Sequence, residues 1–291
     1  MLHVRVPAGI GDISWIWSKL SNLNQQIDVF ISKDEPKRSL DFVKLLPNVV
    51  QARYDTANFH DIVDHCVAPD THIDEFLKVS STKYVNLAAN RFLESGNRLE
   101  YYLPSIPTDF HYPLATTQRD VEKASQILMP GKIPIGIYTS NYTNICTWNA
   151  WHLSDWKNFI QEFYNNVPDS YFVFVGAPYD RDFTLDLSKL IRPIPHVNIC
   201  GETSCAEIVE VIRLFKYFVS YPCGLAILAD VVNTPVMMFY PKHLRNLIQS
   251  WPDPYSIERN RYKGCEFPRV DDAINWLFAD DKFNTFLEEE I

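Results

Sequence analysis

The sequence predicts an α/β protein made of two doubly wound domains, each a parallel sheet covered by helices. Three observations carry this prediction. Short apolar segments alternate with stretches of helical periodicity along almost the whole chain, which is the pattern of β-α-β units. The alternation lapses at the proline-rich, aperiodic "LPSIPTDFHYPL" of residues 103–114 and starts again as a strand after Pro130 and Gly131, two breakers in a row. The 291 residues are too many for one small core and suit two domains of ordinary size. The division falls near residue 130, giving domains 1–129 and 130–291.

In the first domain "MLHVRVPAG" reads as a buried strand and "DISWIWSKLSNL" as a helix. "IDVFIS" is a second strand, "RSLDFVKLLP" a helix ended near Pro47, and "NVVQARY" a third strand. A helical stretch around "IDEFLKVSS" precedes a strand, "KYVNLAA". After the proline-rich segment, "RDVEKASQILM" reads as a short helix.

The second domain repeats the alternation. "IPIGIYTS" is a strand, and "LSDWKNFIQEFYNN" a helix with Ser154 as its expected N-cap. "SYFVFVGAP" is a strand, "RDFTLDLSKLI" a helix and "HVNICGE" a short strand. "SCAEIVEVIRLF" is a helix opening on a cap-like serine. "KYFVSYPCG", "LAILADVVN" and "TPVMMFYP" read as strand, helix and strand. "VDDAINWLFADDKFNTFLEE" closes the chain as a helix, expected to return to the first domain.

Composition narrows the function classes. Apolar residues make up 46% and charged residues 22%, so the chain is globular and not disordered. A net charge of −9 removes the global basic field of a nucleic-acid binder. The six cysteines include no CxxC pair and no zinc-ligand spacing; they are expected as free thiols in a reducing cytosol. No signal peptide opens the chain and no apolar run is long enough to span a bilayer. The expected location is cytoplasmic, with peripheral placement at the inner membrane face as a variant.

In an open α/β sheet, ligands bind beyond the carboxyl ends of the strands. The loops to weigh are therefore 8–12, 139–151, 176–182, 201–204, 220–224 and 240–246. In the first, Gly9 and Gly11 frame a tight turn at a helix N-terminus, a setting that favours anions. The third glycine of a dinucleotide fingerprint is replaced by Ser14, and Asp12 would repel a phosphate. Asp12 therefore reads either as a helix cap or as a base. In the loop 176–182, Asp180 and Asp182 form a D-x-D that suits either a divalent metal or a solvated helix start. Gly224 stands between a strand and a helix of small residues. There it either packs or lets helix amides approach phosphate.

Taken together and in order, these segments resemble the ADP-heptose heptosyltransferase family of bacterial glycosyltransferases, which have the two-domain GT-B fold. "GIGD" at 9–12 is similar to that family's first loop. Trp151 and Trp156 in "WHLSDWKNFI" match its W-P-x-x-x-W helix opening. "FVFVGAPYDRD" is similar to its G-x-P-x-E strand end, with Asp180 for the glutamate. "VNICGETSCAEIVEVI" resembles its L-x-G-x-T-S-L-x-E element, and Gly224 through Pro235 matches the spacing of its D-T-G-x-x-H-x-A…T-P element. The resemblance covers nearly all of residues 130–242 and, in the first domain, chiefly the first loop. Pro222 and Cys223 stand where the family has Asp-Thr, Ile227 where it has histidine, and Asn149 where it has a phosphate-binding lysine.

The resemblance implies an inverting glycosyltransferase that needs no cofactor or metal and takes its nucleotide-sugar donor on the second domain. Asp12 is the implied general base. The implied donor contacts are Gly11, Thr139, Ser140, Asn149, Asp180, Thr203, Cys223 and Gly224, with Lys242 and Arg245 supplying the missing positive charge. Asp180 and Asp182 are expected as a nucleotide contact or a helix cap. The expected acceptor is a glycan or lipid-linked hydroxyl such as a lipopolysaccharide core. One alternative is a hydroxylated base in DNA, as in phage enzymes. Another is a catalytically silent GT-B protein that binds a nucleotide or a partner. Trp15 and Trp17 read as helix packing before sugar stacking, and "NRFLESGNRLEYYL" at 90–103 as acceptor-side or interdomain surface.

Overall fold

Strand β1 (Leu2–Val6) buries Leu2, Val4 and Val6 and leaves His3 and Arg5 half-buried, the period-2 signature of a strand with two unlike faces. The computed structural model to which it belongs describes residues 1–31, 37–54, 84–86, 106–139, 151–221, 223–240, 262–264 and 269–278. The predicted helix at 73–81 and the surface at 90–103 lie outside these residues.

Helix α1 (Ile10–Leu20) follows β1, and β2 (Ile27–Ile31) returns beside it. Helix α2 (Arg38–Val43), β3 (Val49–Tyr54) and β4 (Tyr84–Asn86) complete the first sheet, which is wholly parallel in the order β3-β2-β1-β4. The helix predicted over 38–47 stops at Val43. Beyond it Asn48 turns left-handed at φ 68°, and its side-chain amide donates to the Ser21 and Leu23 carbonyls. Asparagine is among the few side chains that tolerate this conformation.

Helix α3 (Gln118–Ile127) starts on a reciprocal cap between Thr117 and Asp120. Then come β5 (Ile133–Tyr138), α4 (Leu153–Asn166), β6 (Ser170–Phe174), α5 (Arg181–Leu190), β7 (His196–Asn198) and α6 (Cys205–Arg213). They are followed by β8 (Tyr217–Ser220), α7 (Gly224–Val231), β9 (Val236–Tyr240), β10 (Tyr262–Gly264) and α8 (Val270–Phe278). The second sheet is parallel in the order β10-β9-β8-β5-β6-β7. Both sheets therefore run outward from their first strand in two directions. Each has a topological switch point, between β1 and β4 and between β5 and β8, where ligands of open α/β sheets settle.

Two caps separate expectation from structure. Ser204 caps α6 as predicted, accepting from the Glu207 N–H while Glu207 accepts from Ser204's own. Ser154 does not cap α4. The helix begins at Leu153 as read, and its cap is His152, two residues before Ser154, because Asp155 accepts the His152 N–H at 2.9 Å. Ser154 falls inside the first turn.

Trp151, Trp156, Phe159, Phe163, Phe172 and Phe174 fill one face of the second sheet, with Trp151 and Trp156 edge to face at 4.9 Å. The described part of the last helix, α8, packs on α4 there. Its predicted extension, on which any return to the first domain depends, lies outside the described residues. The other apolar cluster is continuous from the first sheet to the second: Val4, Ile13, Trp17 and Ile31 join Val209, Ala226, Leu228 and Val236. Trp17 is fully buried and donates its indole N–H to the Pro47 carbonyl at 3.0 Å, and Trp15 is also buried, so both belong to packing. Helix α3 lies against α6, where Thr116 Oγ1 donates to Glu210 at 2.6 Å and Lys123 pairs with Glu207.

The closest approach between the two halves joins α1 to α7. A Cβ placed on Gly224 would stand 2.9 Å from the Gly11 backbone nitrogen, and one on Gly11 would stand 3.1 Å from the Gly224 Cα. Only glycine on both sides permits this spacing. Gly224→Ala must push backbone against backbone. It should cost about 1–3 kcal/mol of stability in urea unfolding.

Candidate active site

Site construction begins at the carboxyl end of β1. The Ala8 carbonyl accepts the Ser39 hydroxyl from α2 at 2.6 Å, so the loop into α1 is tied to a second helix. Gly9 is the cap residue of α1, and its backbone is extended (φ −74°, ψ 128°). Its lack of a side chain matters for another reason: a Cβ there would sit 2.7 Å from Asp12 Oδ2. The carboxylate folds back over the glycine. Deeper in the helix, the Ser14 hydroxyl donates to the Ile10 carbonyl, and Tyr112 donates to the Ser14 carbonyl at 3.0 Å. The turn carrying Asp12 is thus held by α2, by Tyr112 and by the Gly224 contact.

Asp12 occupies the first turn of α1 but makes no capping hydrogen bond. Its proton affinity is pushed up to about 6 from an ordinary 3.8, and the cause is loss of water on burial. A carboxylate at a helix N-terminus would ordinarily be favoured in its charged form; here desolvation outweighs the helix. The result is a carboxylate that is ionised at neutral pH yet basic enough to accept a proton.

Facing it across Gly11–Gly224 is the N-terminus of α7. Cys223 is its cap, with Sγ accepting from the Ala226 N–H at 3.4 Å. Burial raises the Cys223 thiol to about 12, so it is neutral. Two strands end here in register, Tyr138 beside Ser220. Thr139, the next residue after β5, is 1% exposed, and its hydroxyl has no hydrogen-bond partner among the described residues. The Ser220 hydroxyl is fully buried and has only the soft neighbourhood of the Cys223 thiol. The N-terminus of α7 opens at this switch point and its dipole attracts negative charge, with the Ala226 amide already held by the Cys223 thiol.

The structure thus brings Gly11, Asp12, Cys223 and Gly224 to one junction, with Thr139 at the adjoining strand end. Of the two expectations for Asp180, the geometry shows the cap. Its carboxylate is 1% exposed and accepts the Ala177 N–H at 2.8 Å, ahead of α5. Its charge still reaches the Cys223 thiol. Asp182 lies exposed in the first turn of α5. Thr203 is half-buried in the loop before α6. Ser140, Asn149, Lys242 and Arg245 lie outside the described residues. Sequence reading missed Ser220, whose only signal was its place at the end of a predicted strand before the Gly224 turn. It also missed Ser39, which is separated from the loop it holds by helix α1 and strand β2. Among the described residues no group of three metal-ligating side chains converges, and no helix is long and apolar enough to cross a membrane.

No protein-family model and no curated protein matches the sequence. Solved structures do match. The chain is similar to ADP-heptose lipopolysaccharide heptosyltransferase II of E. coli at 14% identity, covering all of this chain and 99% of the other, with a TM-score of 0.67. A family 9 glycosyl transferase of Veillonella parvula matches at 11% identity over 100% and 90% of the two chains, TM-score 0.60. UDP-GlcNAc 2-epimerase of Neisseria meningitidis, bound to UDP-GlcNAc, matches at 11% over 99% and 93%, TM-score 0.54. These likenesses show the fold: an α/β, GT-B architecture with two Rossmann-like units.

The Asp12 shift has a consequence for stability. The folded carboxyl titrates near 6 and the unfolded one near 3.8. The folded state therefore binds the proton more tightly, and stability falls as pH rises between those values and stays lower above them. Asp12→Asn should add on the order of 1–2 kcal/mol at about pH 8. The gain should vanish below about pH 3.5, where both carboxyl states are neutral. Urea unfolding at the two pH values checks this.

Proposed function

We propose that this chain is an inverting glycosyltransferase that moves a sugar from a nucleotide-sugar donor to a hydroxyl on a glycan or lipid-linked acceptor. The observation that carries the reading is the junction at Gly11–Gly224. It sets a desolvated carboxylate in the first turn of α1 against the N-terminus of a second helix, α7. Fold alone would not separate transfer from other nucleotide-sugar chemistry, since one of the matching structures is an epimerase.

In this reading the donor diphosphate rests at the N-terminus of α7, with the Thr139 hydroxyl at the adjoining strand end. Asp12 takes the proton of the acceptor hydroxyl as that oxygen attacks the anomeric carbon from the face opposite the diphosphate. The carbon–oxygen bond to the diphosphate breaks, and its electron pair leaves on the phosphate oxygen. Donors aimed at that developing charge lower the barrier in a site from which water is excluded. The neutral Cys223 thiol adds no negative charge beside the leaving group. No metal or cofactor has a step here. Lys242 and Arg245, which follow β9 in the sequence, would add positive charge. The nucleic-acid acceptor weighed from the sequence finds no support in the similar structures and is not carried forward.

The test is a thermal-shift screen against ADP-, UDP- and GDP-linked sugars, with transfer measured for any donor that binds. A donor that binds only the folded state raises the melting temperature by mass action. Asp12→Asn should keep that shift and lose transfer by a factor of about 10²–10⁴. The wild-type rate should fall as pH drops through about 6, because Asp12 acts only when deprotonated. A chain that binds no nucleotide sugar, or an Asp12→Asn protein with unchanged turnover, overturns the proposal. Binding without transfer by the wild type would mark a silent nucleotide binder.

A further inference from the structure

The loop that follows β6 presents an aromatic ring to solvent at the edge of the candidate site. Tyr179 is 47% exposed, and among the described residues no other aromatic side chain is exposed to that degree. The turn that carries it is nonetheless well tied. Tyr179 lies in a 3-10 turn, Pro178–Asp180. The buried Asp180 carboxylate fastens that turn to the Ala177 N–H. Gly201, left-handed at φ 74°, packs so closely against Pro178 that a Cβ there would stand 2.8 Å from the Pro178 Cα. Arg181 and Glu202 pair across the same two loops at 2.6 Å.

The ring also meets the other half of the molecule. Arg38, in the first turn of α2, sets its guanidinium 5.8 Å from the ring centroid and donates to the Tyr179 hydroxyl at 3.4 Å. The Arg38 carbonyl accepts the thiol of Cys205, at the start of α6. The next residue, Ser39, is the one that holds the Ala8 carbonyl ahead of Gly9 and Asp12. Tyr179 therefore stands on the same rim as the Asp12 loop. It is also near the α7 end of the site, because the charge of its neighbour Asp180 is felt at the Cys223 thiol. The sheet gives the spacing. β5 lies between β6 and β8, with Ile137 beside Phe174 and Tyr138 beside Ser220. The loops after β6 and β8 thus leave the sheet about 10 Å apart, a gap that the ribose and phosphates of a nucleotide can bridge.

We propose that Tyr179 is the platform on which the nucleobase of the donor stacks, with the Arg38 guanidinium setting the ring from the other half. Every base offers a flat π-face, and an aromatic side chain already held in place loses little freedom in receiving it. The contact uses no edge of the base. Tyr179 therefore supplies affinity for a nucleotide over a bare diphosphate and leaves the choice among bases to other groups.

The inference rests on the nucleotide-sugar reading and not on the role of Asp12. Calorimetric titration of the full chain with ADP, UDP and inorganic pyrophosphate tests it. The wild type should bind both nucleotides more tightly than pyrophosphate. Tyr179→Ala should weaken ADP and UDP by about 5- to 100-fold and leave pyrophosphate unchanged, while Tyr179→Trp should keep the nucleotide affinity. The melting temperature without ligand serves as the control should pyrophosphate bind too weakly to titrate. Equal nucleotide affinity in the wild type and Tyr179→Ala overturns the proposal and leaves the nucleotide-sugar reading standing. A parallel loss in the control also overturns it, since Tyr179 would then only brace the two halves. A wild type that binds neither nucleotide overturns both.

Discussion

The backbone contact between Gly11 and Gly224 is the constraint on which the rest of the architecture depends. Helix α1, which follows β1, and helix α7, which follows β8, approach this closely because neither carries a side chain at the contact. Because they touch, the apolar layer beneath α1 runs without a break into the layer beneath α7. The two sheets then share a core, and the carboxyl ends of β1, β5 and β8 are turned toward one another. A methyl group at either glycine would separate the layers as well as the loops.

The same contact sets the electrostatics. Two helix N-termini converge, and the dipole of each favours negative charge. On the α1 side that preference is answered by a carboxylate which burial makes reluctant to ionise. On the α7 side it meets a neutral thiol cap and two buried hydroxyls. The side that keeps no charge of its own is the side suited to a diphosphate, and the side with a raised carboxylate is suited to accepting a proton. This division follows from what each loop contains. It is what turns a fold shared by transferases and an epimerase into a specific chemical proposal.

Much of this was legible along the chain. Strand and helix alternation reported both sheets, because a parallel sheet needs a crossover for every strand. Ser204 and Glu207 announced the start of α6 because their spacing is a local hydrogen-bonding device. The span of α4 was read correctly but its cap was misjudged at Ser154. Hydroxyl residues are good caps, but the choice was made by Asp155, which pairs with the backbone of His152. Asp180 was readable as an acid after a strand; that it turns inward to hold the Ala177 amide was a matter of loop geometry. Ser39 and Ser220 carried no usable signal, since a buried serine and an exposed one look alike in sequence.

The sequence by itself determined the element order, the two-part α/β plan, the glycine turns after β1 and β8, and the presence of a lone acid in the first of them. These are fixed by residues a few positions apart: side-chain periodicity, capping pairs and backbone freedom at glycine. The tertiary structure alone decided that the two glycine turns meet, that Ile227 packs against Gly11, and that β5 and β8 end together with Tyr138 beside Ser220. Those are relations between residues far apart in the chain. They exist only because desolvation and close packing act on whatever the fold brings together.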